Sequence, residues 1–81
     1  QNFPNPFNPS TTIQYSLVKA ERVRLAVYNL LGQEVATLFD GNQEAGEYRA
    51  VFNASELTSG VYFYKLTTSS GQQIRKMVLM K

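Results

Sequence analysis

Few residues of this chain could act chemically. The acids are Glu21, Glu34, Asp40, Glu44, Glu47 and Glu56, and the 81 residues include no histidine and no cysteine. Without histidine the commonest general base and metal ligand is missing. Without cysteine there is no nucleophilic thiolate, no disulfide and no thiolate metal site. Most of the carboxylates sit beside turn residues, and no two are spaced as an obvious acid–base pair. Asp40 with Glu44 makes at most a weak calcium pair, short of the ligand density of a dedicated loop. The expectation is a non-enzyme with no cofactor and no metal. Lys19, Arg22 and Arg24 form a small basic stripe. No glycine-rich phosphate loop accompanies it, so it reads as a solvated strand face with edge-protecting charge. A net charge of +2 with scattered basic residues gives no electrostatic footprint for a nucleic-acid partner. Tyr28, Phe63 and Tyr64 could stack on sugars or unpaired bases if they face outward. In so small a chain their expected place is the core.

Those side chains must be positioned by strands, and residues 57–66, LTSGVYFYKL, organise the rest. Gly60 ends a polar corner and a strand-forming run begins at once. Val61, Phe63 and Lys65 point to one face, and Tyr62, Tyr64 and Leu66 to the other. Both faces are largely apolar or aromatic, which marks a central strand.

The remaining segments read as partners for that strand. Residues 1–10, QNFPNPFNPS, hold three prolines, which fix φ and push their neighbours to extended geometry. This is an extended, proline-rich arm whose apolar contacts are Phe3 and Phe7. Residues 11–18 alternate Ile13, Tyr15 and Leu17 with polar positions, a half-buried strand. Residues 22–30 turn Val23, Leu25 and Val27 inward and Arg22, Arg24 and Ala26 outward. Asn29 to Gln33 is a tight turn in which Gly32 can take the left-handed conformation. Residues 34–39 form a third strand, ended by a turn signal at Asp40-Gly41-Asn42-Gln43. Residues 47–54 form a fourth. Asn53-Ala54-Ser55 fits the glycosylation pattern by chance, and residues 55–59 are expected to make one helical turn capped by Ser55. Ser69-Ser70-Gly71-Gln72 is a second hairpin turn. The last strand, residues 73–81, has no clean alternation, which a bulge or an edge position would explain.

Short strands separated by turns, with no helical period, predict an all-β fold: an immunoglobulin-like antiparallel β-sandwich of six or seven strands. Residues 1–10 are expected to form an arm or linker, and residues 11–81 the single domain. Residues 57–62 are similar to a tyrosine corner, with Tyr62 as the bonding tyrosine. The Asn29–Gln33 hairpin makes its two strands adjacent, whereas the constant-type immunoglobulin order places them in different sheets, so strand order is left open. No run is long and apolar enough for a membrane-spanning helix, and insertion in a membrane is not expected. The sequence opens on Gln1 with no leader-like segment, and is expected to be a piece of a longer protein.

Four segments stand in order along the chain: NPFNPSTTIQYSL, VRLAVYNLLGQEVATL, AGEYRAVFNASELTSGVYFYKL and the closing IRKMVLMK. Together they resemble the C-terminal sorting domain of the type IX secretion system, carried by cargo proteins of Bacteroidetes-like bacteria. The likeness spans nearly the whole chain. It implies an immunoglobulin-like domain at the end of a large secreted protein, read as an address during periplasmic transit. Its implied partners are an N-terminal cargo domain, the outer-membrane translocon and a sortase-like protease. The implied destination is the cell surface or the extracellular space. The opening motif of the family falls on Pro4, Asn5, Pro6, Phe7, Asn8 and Pro9. Its turn glycine falls on Gly32, and its strand entry on Ser59, Gly60, Val61 and Tyr62; Gly71, read from the last hairpin turn and not from the resemblance, is a further structural position. Its closing basic-apolar strand, the part most tied to recognition, falls on Lys76, Met77, Val78, Leu79, Met80 and Lys81, and Arg75 just ahead of it is counted with the expected recognition residues. Two alternatives remain. One is an accessory carbohydrate-binding module, which a flat row of three exposed rings would favour. The other is a structural module that self-associates by strand addition through its edge strand or its N-terminal arm.

Overall fold

Period-two alternation of apolar side chains divides the chain into strands with no helix between them. In the computed structural model, residues 2–3 and 9–80 are described, with side chains from residue 9 onward. The strands are β1 (Asn2–Phe3), β2 (Ser10–Leu17), β3 (Glu21–Asn29), β4 (Glu34–Gln43), β5 (Gly46–Asn53), β6 (Gly60–Thr68) and β7 (Gly71–Leu79). They form two antiparallel sheets, ordered β1-β2-β5 and β4-β3-β6-β7. The fold is a two-layer immunoglobulin-like β-sandwich of six full strands and the short β1. β3 and β4 stay in one sheet, joined by their tight turn, which settles the strand order left open above.

The inward rows of both sheets make the core. Ile13 and Leu17 come from β2, Val23, Leu25 and Val27 from β3, and Phe52 from β5. Tyr62, Tyr64 and Leu66 come from β6, and Met77 and Leu79 from β7. β6 lies between β3 and β7, with Tyr28 opposite Phe63 on one side and Lys76 opposite Phe63 on the other. Tyr15 stacks on its cross-strand partner Tyr48 within the β1-β2-β5 sheet at 5.4 Å, and its hydroxyl ties that layer to β4. The Tyr15 hydroxyl donates 2.7 Å to the Gln43 side-chain oxygen, and burial pushes its pKa up.

Four sequence expectations are corrected. Asp40-Gly41-Asn42-Gln43 does not end its strand: β4 continues through it, pairing with β3 from Arg24 back to Glu21. Cross-strand partners override the local turn preference, because Arg22 holds the Asp40 carboxylate at 2.6 Å. A Cβ at Gly41 would make only ordinary contact with the Phe39 ring, 3.5 Å away, so this glycine is not held to a turn conformation. The turn falls instead at Glu44-Ala45. Second, residues 55–59 contain no helical turn. Ala54 accepts from the Leu57 N–H at 2.9 Å in a β-turn, and Asn53, not Ser55, supplies the side-chain acceptor. Third, Ala26 is buried although it lies on the outer face, because the side chains of Arg24 and Tyr28 meet across it at 3.5 Å. Fourth, Leu30 leaves the strand for the turn and is 70% exposed.

Candidate functional site

Among the described residues no group of acids is gathered into a cluster, and the candidate site is a sheet margin. β7 is the outermost strand of the four-stranded sheet. A central strand has both backbone edges paired, whereas an edge strand keeps one row of N–H and C=O groups turned away from its sheet. The sequence of β7 then divides by residue. Met77 and Leu79 lie opposite Tyr62 and Gly60 and are fully buried. Arg75 and Lys76, opposite Tyr64 and Phe63, are exposed, and Val78, opposite Val61, is half-buried. Met80 follows the strand and is 55% exposed. The strand is therefore anchored by one half and presents basic and apolar groups along the other. Its mixed pattern comes from this edge position. Lys81 and residues 4–8 of the opening motif lie outside the described residues. Pro9 is exposed, and its carbonyl accepts from the Ala54 N–H at 2.8 Å.

Two corners fix the frame around β7. The Tyr62 hydroxyl donates 2.8 Å back to the Thr58 carbonyl, closing the corner ahead of β6. At the β3–β4 turn Gly32 has φ +82°, where a Cβ would be strained. Asn29 accepts two backbone N–H groups there, from Leu31 and Gln33, each at 3.0 Å. Gly71 opens β7 at φ +143°, directly opposite Thr68.

Tyr62 and Tyr64 share the inner face of β6 but not their hydrogen bonding. The Tyr64 hydroxyl is buried with no partner, and burial pushes its pKa up. Opposite outcomes are expected from one chemical change. Tyr62→Phe removes a made bond and should cost about 1 kcal/mol, whereas Tyr64→Phe removes an unsatisfied group and should be neutral or stabilising by up to about 1 kcal/mol. Paired thermal melts of the two variants check the contrast in sign.

The two arginines of the basic stripe are paired with acids. Arg24 holds both Glu34 oxygens at 2.8 Å, and its pKa is raised by that hydrogen bond. The Glu34 carboxyl is held low by the Thr37 hydroxyl first and Arg24 second. The acids named as weak calcium ligands are placed apart in role: Asp40 faces Arg22 and Arg24, and the Glu44 carbonyl accepts from the Tyr48 hydroxyl. No group of acids among the described residues is arranged to hold a metal ion. The aromatic candidates split as well. Tyr64 is in the core, so Tyr28, Phe63 and Tyr64 do not form one exposed row. Tyr28 and Phe63 line an open hollow of about 310 Å³ with Ile74 and Lys65, and the Lys65 ammonium sits 5.2 Å from the Tyr28 ring centre. Exposed Ile74 belongs to this face, and the sequence gives no separate signal for the hollow, because β3, β6 and β7 each supply only part of it. No helix among the described residues is long and apolar enough to cross a membrane.

The chain matches a family model described as a secretion system C-terminal sorting domain over residues 1–80. No curated protein and no solved structure matches.

Proposed function

The chain belongs to the family of secretion system C-terminal sorting domains, and we propose on that premise that it is the address by which a cargo protein joined ahead of it crosses the outer membrane through type IX machinery. In this reading the folded domain is presented in the periplasm and gripped along β7. A sortase-like protease then removes it, and the cargo is attached to the surface or released. The domain is a ligand and a substrate of that machinery, and does no chemistry itself. Residues 1–10 are the arm that joins it to the cargo.

The observation that supports this most is the division of β7 into an anchored half and a presented half. Met77 and Leu79 hold the strand in the core, while Arg75, Lys76 and Met80 stay exposed at the margin. A receptor can read such a margin through its exposed cations, which give orientation and selectivity, with Met80 adding apolar contact. Charge reversal tests it without touching the core. A full-length cargo protein carrying Arg75→Glu and Lys76→Glu should melt as the parent does and accumulate in the periplasm. Its surface amount should fall by about tenfold or more, the effect of losing about 1.4 kcal/mol of recognition. Normal surface delivery of that variant would overturn the proposal.

A further inference from the structure

The two sheets are unevenly closed on the side where β1 and β7 lie. β2 is eight residues long, yet β1 pairs with only two of them, Asn2 with Ile13 and Phe3 with Thr12. From Tyr15 to Leu17, no described residue forms a strand on that side of β2. The other side of β2 is paired with β5 along its whole length, down to Leu17 opposite Gly46. In an antiparallel ladder alternate residues turn both N–H and C=O to the same neighbour, so part of the backbone from Tyr15 to Leu17 faces the bare side. A slot of about 320 Å³ runs along it, lined by Ser16, Leu17, Val18, Leu66, Gln72 and Gln73. Facing the slot, β7 changes character. Its inner row is fully buried at Met77 and Leu79 but exposed at Arg75 and Gln73. The core is thus sealed at one end of β7 and open at the other, over Leu17 and Leu66.

We propose that the segment immediately ahead of Gln1 in the intact protein extends β1 along this bare edge, so that the junction between cargo and domain is itself a strand of the sandwich. The register selects this occupant. Asn2 opposite Ile13 and Phe3 opposite Thr12 set the direction of β1, and residues further ahead run toward Leu17. Continuing the ladder brings the three residues before Gln1 opposite Tyr15, Ser16 and Leu17. The ladder needs only a main chain that can donate and accept, so the segment is recognised through its backbone and the side chains of the cargo are left unspecified. An unpaired edge beside buried leucines would also be an association hazard, which the extension removes. The inference rests on the sorting reading only in taking a cargo chain to precede Gln1.

Amide hydrogen exchange on the intact cargo protein tests it. The bare-side amides from Tyr15 to Leu17 should exchange slowly with the native junction. They should exchange about tenfold or more faster when the three residues before Gln1 are replaced by prolines, which cannot donate to the ladder. Amides of β2 bonded to β5 should not change, which shows that the domain still folds. Identical exchange in the two proteins would overturn the proposal. So would protection that appears only on raising protein concentration, which would mark a second copy, or only on adding outer-membrane extract, which would mark a partner strand. Export is not read in this experiment. A cargo with a protected edge that ignores the secretion machinery would sink the sorting reading and leave this one standing.

Discussion

A chain lacking residues 77–81 is expected not to fold. Deleting this segment removes Met77 and Leu79, both fully buried in the core. It also strips the ladder partners from Tyr62, Val61 and Gly60. Truncating one buried Leu or Met to alanine costs about 2–5 kcal/mol, and complete loss of two costs more. A domain of this length holds about 4–12 kcal/mol in total. The deletion therefore takes most or all of the stability, and circular dichroism should show no cooperative melt. Its failure in export would then report an unfolded address, not a missing contact. Deleting only residues 80–81 separates the two. Met80 is exposed, so that variant should melt within a few degrees of the parent, since 1 kcal/mol corresponds to about 4–8 °C at this size. An export defect in the shorter deletion reports recognition at residues 80–81.

The fold was readable in the sequence wherever side-chain alternation and turn chemistry agreed. Val23, Leu25 and Val27 alternate with Arg22 and Arg24 and end at a turn whose glycine takes positive φ, so strand, face and boundary coincide. The central place of β6 was likewise visible, because both its faces are apolar. What the sequence hid is settled by distant partners. Asp40-Gly41-Asn42 has turn composition, yet Arg22 and Arg24, eighteen and sixteen positions away, hold it in the sheet. The register of β7 was undecidable from its own residues, since an edge strand is free to expose Ile74 and Lys76 while burying only Met77 and Leu79. The hollow beside Phe63 and the slot beside Leu17 are both assembled from strands far apart in sequence, and no local pattern marks either.

Leu25→Ala should be the most destabilising single truncation, with consequences that depend on temperature. Leu25 is fully buried at the middle of β3, facing Leu66 across one ladder and Phe39 across the other. It sits where the β3–β4 register shifts, between Leu25 and Ala26, so the strands there are bent around it and cannot close the space by sliding. The expected cost is about 2–5 kcal/mol, which lowers the melting temperature by roughly 10–30 °C. Val51→Ala, at a position 68% exposed on β5, should change stability by less than about 0.5 kcal/mol. With no cysteine in the chain, no disulfide shares the load and the core carries the whole difference. An address read in its folded form should then fail in proportion to the unfolded fraction. Leu25→Ala cargo should reach the surface well below its melting temperature and be retained above it. The Arg75→Glu, Lys76→Glu cargo should be retained at both temperatures, because its fold is intact and its grip is not.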